Sequence, residues 1–298
     1  MVIGNAGVVE VVRTGRAVTS LRESDRCVVF CNGTPDDFGY PTTILGYDAP
    51  GTMGVLAKMI KLRARQLIRI PTDSALSLPQ WAAFSLRYIT AWANMQVAWG
   101  CWQTQMRDVP PEQVFVWGGG GGVSFAQLLL AKQWGCRVAM VASTAGRLSL
   151  LREHGIEAID RGTLSRACFE EDLLARLRDW TGGRGVSIFI DHIGSHYRST
   201  LKSMSRQGII TTAGWKHGMT YPTMRAMECI SRHIHVFTHY ARRSEGEAAV
   251  EFASKGAWSV PRPSRIYTWD EIPALAQSYA AGIVEDYFPI FSVASDSG

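Results

Sequence analysis

A chain of 298 residues, 46% hydrophobic and 19% charged, has room for about two domains and enough apolar material to bury a core without metals or cross-links. That composition excludes a disordered, collagen-like or disulfide-stapled protein. Lys and Arg (31) exceed Asp and Glu (26) by a scattered +5, which builds no basic tract for nucleic acid but suits an anionic small ligand such as a phosphate ester.

The N-terminal part reads as β-rich. GVVEVV (7–12) and CVVFC (27–31) are short buried strands, and the stretch 32–54, dense in Gly, Pro, Asp and Thr, is a long loop of the kind that carries function. VLAKMIKL (55–62) and LIRIP (67–71) read as further strands. From Leu78 to Met106 the pattern is helical, with Pro79 in its first turn. After Pro110 and Pro111, apolar runs at 114–117, 137–142, 157–159, 186–190, 208–213 and 233–237 alternate with helical stretches at 125–135, 146–155, 169–183 and 195–208. Several of these helices end in glycine. Such alternation predicts right-handed βαβ units and a parallel sheet covered on both faces, and six strands make a full dinucleotide-binding domain. A short helix at 269–282 and a last strand at 285–293, returning to the β-rich part, complete the chain. The expected division is 1–85 with 266–298 for the β-rich domain and 86–265 for the doubly wound one.

The six cysteines (Cys27, Cys31, Cys101, Cys136, Cys168, Cys229) form no C-x-x-C pair and read as reduced thiols, mostly in the core. No apolar run approaches the roughly 18 residues needed to cross a bilayer, and the start MVIGN carries no signal-peptide pattern. The expectation is a cytoplasmic protein with neither a nucleic-acid nor a membrane partner.

The strongest local signal is VFVWGGGGGVSFAQLLLAK (114–132), a strand running through five glycines into an apolar helix. Glycines permit the tight turn and the approach of backbone to a pyrophosphate, and the helix N-terminus behind them offers free N–H groups. Gly118, Gly121, Gly122 and Val123 are the candidate cradle residues, with Ser124 where a third glycine often sits. No Gly-Lys-Ser/Thr follows, so a nucleotide-triphosphate loop is excluded. Dinucleotide sites that prefer NAD carry an acid at the end of the second strand. Here that end has Ser143, Thr144 and Arg147 and no acid, which favours a 2′-phosphate and hence NADPH. Asp191, after the fourth strand, reads as the N-cap of the next helix or as a cofactor contact. Lys216 and His217 are further polar residues within reach of a ligand in the GWKHG turn. His233, His235 and His239 share a strand face by period two, as metal ligands or as a polar strand end. Trp92, Trp99 and Trp102 could wall an apolar channel or simply pack the core.

These residues resemble the medium-chain dehydrogenase/reductase superfamily over nearly the whole chain. The similarity runs through GVVEVV and VTSLRESDRCVVF, with Ser24-Asp25-Arg26-Cys27 in place of the usual Gly-Asp-Arg-Val turn, through ITAWANM (89–95), and through GGRGVSIFIDHIG (182–194) and GIITTAGWKHG (208–218). It implies a Rossmann-type doubly wound parallel sheet plus a partial, N-terminally shortened GroES-like β-rich catalytic domain, with substrate between them. It also implies that Thr90 contacts the cofactor, and it puts Gly214 on the cofactor side. Gly4-Asn5-Ala6-Gly7 stands where zinc alcohol dehydrogenases have Gly-His-Glu, and no structural run of four cysteines exists, so no metal is expected. Within the superfamily, VVFCN (28–32), LGYDAPGTMGVLAKM (45–59), VFVWGGGGGVS (114–124) and RHIHVFTHYARRSE (232–245) are similar to the crotonyl-CoA carboxylase/reductase branch. That similarity implies NADPH-dependent reduction of an α,β-unsaturated acyl thioester carried on CoA or a carrier protein. Hydride goes to the β-carbon, and the enolate is quenched by a proton or by CO2. The positions matching the CO2 pocket are Tyr47, Asp48 (usually Glu) and His239. The resemblance also implies a homodimer or dimer of dimers through the edge strand 233–237. A reductase-like cyclase, a quinone or enone reductase, and a non-catalytic cofactor-binding scaffold are the alternatives.

Overall fold

The computed structural model describes residues 2–48, 53–194, 197–214 and 230–293. The chain divides into two units, Met1–Thr90 with Tyr240–Gly298, and Ala91–His239.

The first unit opens with an antiparallel sheet of β1 (Val8–Glu10), β2 (Arg26–Val29) and β3 (Leu67–Arg69), in that order. Val8 lies opposite Val28, and Cys27 opposite Arg69. Alternation turns Cys27, Val29 and Leu67 inward, where they join Leu21, Cys31 and Leu45 in one apolar cluster. Burial pushes the Cys27 and Cys31 thiols up to about 11 and about 12, so both are protonated core groups at neutral pH. The strand expected at 55–62 is not formed. Its ends are held, Val55 and Leu62 against the same cluster and Val55 N–H on Gly4 O, but Lys58 and Met59 between them face solvent, so no face of period two is buried.

The helix expected over 78–106 is two helices, α1 (Leu78–Phe84) and α2 (Arg87–Gln105). Leu86 at φ 63° breaks the run. The Ser85 hydroxyl stabilises the break, donating to Val29 O at 2.9 Å and accepting from Gly7 N–H at 3.1 Å.

The second unit is a six-stranded parallel sheet. Along the chain it runs β4 (Phe115–Gly119), α3 (Gly122–Gln133), β5 (Arg137–Ala142), α4 (Ala145–Glu153), β6 (Glu157–Asp160), α5 (Phe169–Trp180), β7 (Val186–Asp191), α6 (Tyr197–Ser203), β8 (Met204–Thr212) and β9 (His235–Thr238). The spatial order is β6-β5-β4-β7-β8-β9, the doubly wound arrangement expected from the alternation. The order reverses between β4 and β7, the switch point at which doubly wound sheets place their ligands. Trp117 stacks on Phe189 at 4.7 Å across that pair, and Leu173 and Leu177 of α5 cover them. Glu170, Glu171 and Asp172 occupy the first turn of α5, where they complement the helix dipole. The helix expected over 195–208 ends at Ser203. β8 begins at Met204 and carries Gln207 at φ 60° beside a register shift at Val186/Ile188.

The chain then returns to the first unit with α7 (Arg243–Ser254), which sequence pattern did not mark. Arg243 donates to the carbonyls of Arg65 and Leu67, the latter at 3.0 Å. Gly246 lies so close to β3 that a Cβ would stand 2.9 Å from Ile68 Cδ1 and 3.1 Å from Phe30 Cε2. These contacts set the division at 239/240, where pattern alone suggested 265/266. Last come β10 (Ile266–Tyr267), α8 (Ile272–Ala280) and β11 (Ile290–Phe291). The strand expected over 285–293 is only β11, and it pairs in parallel with β10 rather than with β1–β3. Val284, Tyr287 and Phe288 before it are buried, Phe288 with its ring 5.5 Å from Tyr88. No helix among the described residues is long and apolar enough to cross a membrane.

Candidate functional site

The candidate cofactor residues other than Thr90 gather at the C-terminal ends of four adjacent strands, β5, β4, β7 and β8. Gly118 belongs to β4, where a Cβ would meet Leu128 Cδ1 of α3 at 3.2 Å, so glycine lets the helix lie close on the strand. Gly120 has φ +125°, and its Cβ would fall 3.1 Å from Ser124 Oγ. Gly121 caps α3, and nothing lies within 4 Å of where its Cβ would be. Gly122 and Val123 form the first helical turn. The loop therefore has a packed back at Gly118 and Gly120 and an open front at Gly121, at the end of α3 whose first N–H groups have no partner within the helix. This fits an anionic pyrophosphate without further groups. Ser124 keeps the compact spacing because its buried hydroxyl donates to Gly119 O at 2.7 Å.

After β5, Ser143 is exposed, Thr144 caps α4, and Arg147 lies in the first turn, half-buried. Thr144 Oγ1 is buried without a hydrogen-bond partner among the described residues, an orphaned polar atom at the point where a ribose phosphate would be held. Asp191 is the last residue of β7 and is 3% exposed. Its Oδ1 accepts from Ile193 N–H (3.0 Å) and Gly194 N–H (2.7 Å), closing a turn immediately after the strand. Burial raises its carboxyl above the usual range, while those two N–H groups pull it down. Gly214 lies two residues past β8, its Cβ position only 2.6 Å from His192 O.

Pattern reading passed over the residue that joins these ends. His192 Nδ1 accepts from Ala213 N–H at 2.9 Å, which leaves Nε2 protonated to donate to Gln127 Oε1 at 2.5 Å. Burial drops this imidazole to about 4, so it is neutral at pH 7. The signal available in the sequence was Gln127, a polar residue inside the apolar run FAQLLLAK, now wholly buried.

Tyr47 and Asp48 lie in the first unit. Tyr47 is exposed, and Asp48 Oδ2 accepts from Ile44 N–H at 2.5 Å, closing a turn whose Gly46 has φ +65°. Burial first, then Tyr47, Asp48 and Cys31, hold the Tyr240 phenol above its ordinary value, so it is a protonated neighbour of the pair that sequence reasoning missed. Thr90 closes the first unit within α2. His239 closes the second, and its carbonyl accepts from Asn94 Nδ2 at 2.8 Å. Of the other histidines, His235 donates from Nε2 to Gln105 and Gln207, and His233 has φ 54° just before β9. Trp99 tilts against Trp134 at 5.5 Å and Trp102 is buried, both as packing groups. Lys216, His217 and Cys229 lie outside the described residues.

A sequence-family model described as zinc-binding dehydrogenase matches residues 122–255. Among the described residues no three His, Cys, Asp or Glu side chains come together to hold a metal ion, so that zinc has no ligand set there. The crotonyl-CoA reductase of Streptomyces avermitilis is 24% identical over 287 residues, which cover 89% of this chain and 62% of that protein. The phenolphthiocerol synthesis polyketide synthase Pks15/1 of Mycobacterium bovis is 29% identical over 209 residues, covering 69% of this chain and 8% of the synthase. The solved alcohol dehydrogenase of Aeropyrum pernix superposes with a TM-score of 0.76 at 20% identity, over 95% of this chain and 80% of that one.

Proposed function

We propose that the chain is a medium-chain dehydrogenase/reductase and that it acts as an NADPH-dependent reductase of α,β-unsaturated acyl thioesters. The observation that carries the reading is the glycine cradle at the strand-order reversal, with hydroxyls and a guanidinium but no acid at the end of β5. The two sequence relatives support the thioester, one being named a crotonyl-CoA reductase and the other a polyketide synthase. NADPH, when bound, supplies the hydride. The chain's own residues orient and discharge. The open front of Gly121 and the α3 N–H groups receive the pyrophosphate, and Ser143, Thr144 and Arg147 receive the 2′-phosphate. Tyr47, Asp48 and His239 are the groups proposed to govern the proton or CO2 that ends the enolate.

The reading is tested by NADPH oxidation with crotonyl-CoA against a free enone. Turnover confined to the thioester is expected. Turnover confined to the enone would make the chain a quinone-type reductase, and none with either would leave a scaffold.

Cofactor choice gives a second test. One charge-assisted contact contributes about 1.5–3 kcal/mol, so NADPH is expected to bind at least about tenfold more tightly than NADH. Arg147→Ala should shrink that gap in a fluorescence titration, and equal affinities in the wild type would refute the assignment.

Asp48→Asn keeps an acceptor for Ile44 N–H while removing the charge. With bicarbonate present, Asp48→Asn and His239→Ala are expected to shift the ratio of carboxylated to reduced product while NADPH oxidation continues. An unchanged rate and product in the double variant would exclude both from the site.

The edge strand β9 is further proposed as the contact of a homodimer or dimer of dimers, since an exposed edge needs cover. Light scattering is expected to give at least twice the chain mass, and a monomer at micromolar concentration would contradict it.

A further inference from the structure

His192 packs against the glycine turn at Gly120. A Cβ on Gly120 would lie 3.6 Å from His192 Cβ, and one on Gly214 would lie 2.7 Å from the same atom. The base of the side chain thus lies between the loop after β4 and the end of β8. Its two nitrogens divide the work. Nδ1 takes the Ala213 N–H, and that bond dictates which tautomer is present. The remaining Nε2–H reaches Gln127, one turn into α3 beyond the cradle. Gln127 is 0% exposed, and its Nε2 has no hydrogen-bond partner among the described residues. The carboxamide is therefore oriented by His192 from a single side, and with it the helix whose N-terminus receives the anion. Asp191 fixes the base of the arrangement, holding the backbone of Ile193 and Gly194 so that His192 leaves β7 in one direction.

We propose that His192, bridging Ala213 N–H and the buried Gln127, is a positioning residue that holds the glycine cradle in the geometry that binds the cofactor. This rests on the cradle being the dinucleotide site of the reading above. His192 touches no reacting atom; it acts through α3.

Two substitutions separate its two bonds. In His192→Asn the side-chain oxygen overlays Nδ1 and retains Ala213 but cannot reach Gln127. In His192→Gln the amide nitrogen overlays Nε2 and retains Gln127. His192→Asn is expected to weaken NADPH binding by about tenfold, the worth of one hydrogen bond in a buried setting. The loss should appear in the KM for NADPH rather than in kcat. His192→Gln should recover most of the loss. Gln127→Leu should weaken binding similarly, and Gln127→Leu with His192→Asn no more than either alone, because the two lose one shared contact. A merely structural role would lower the melting temperature without this Asn/Gln contrast.

The wild type provides a measurement independent of any variant's folding. In 15N-histidine spectra His192 should show the Nε2–H tautomer at pH 7, with resonances that move on NADPH saturation. Cofactor binding by the wild type with equal affinity in His192→Asn, or His192 resonances unmoved by NADPH, overturns the positioning role and leaves the reductase reading standing. A wild type that binds neither NADPH nor NADH overturns both.

Discussion

Gly121→Asp is expected to weaken NADPH binding severely while leaving the fold in place. The backbone at Gly121 has φ −111°, open to any residue, and its Cβ direction meets nothing within 4 Å. Aspartate is also a favourable residue at a helix N-cap, so the melting temperature should hold or rise. The same carboxylate would fill the open front of the cradle and compete for the α3 N–H groups with a like-charged pyrophosphate. A loss of at least about 100-fold in affinity, about 2.7 kcal/mol, is expected. Thermal melting and a fluorescence titration, run side by side, separate the two effects. Gly120→Ala is the contrasting case. At φ +125°, with Ser124 Oγ 3.1 Å from the new Cβ, it should lower stability as well as affinity. Gly121→Asp protein that binds NADPH within threefold of wild type would show that no pyrophosphate lies over α3.

The second large effect is acid lability centred on His192. Its imidazole falls from 6.5 to about 4 on burial, so between those values the unfolded chain binds a proton that the folded chain refuses. Stability is then complete above pH 6.5 and lost as pH falls toward 4. A depression of that size corresponds to about 3 kcal/mol. Protonation would also force Nδ1 to become a donor against Ala213 N–H. His154, lowered by burial, acts in the same direction, whereas Asp191, raised by burial, acts in the opposite one at the acid end. Urea unfolding at pH 7, 5.5 and 4.5 should show the wild type losing about 2.4 kcal/mol more than His192→Asn between the first and last of these. Parallel pH profiles for the two proteins would remove His192 as the cause.

The glycine turn and the polar residues after β5 were readable because their signals are local. A strand, five glycines and a helix occupy 19 consecutive residues, 114–132, and the chemistry at the end of β5 follows within Ser143–Arg147. The surroundings of Asp48 were less readable. Asp48 could be named, but its bond to Ile44 N–H and the nearness of Tyr240 depend on how the loop 32–54 closes and on a segment almost 200 residues away. A short strand was expected at 55–62 from apolar content alone, and burial at its two ends rather than along a face made it coil.

Periodicity and glycine placement were sufficient for a doubly wound parallel sheet of six strands, and the structure supplies its order, β6-β5-β4-β7-β8-β9. Right-handed crossovers leave few other ways to join six alternating strands, and the rule acts on neighbours in the chain. Contacts between distant residues belonged to the tertiary structure. The break at Leu86 needs Ser85 bonded to Val29 and Gly7, and α7 belongs to the first unit because Arg243 and Gly246 meet β3. The pairing of Gln127 with His192 spans 65 residues. A buried polar side chain announces that it needs a partner, but only the packed fold selects which one.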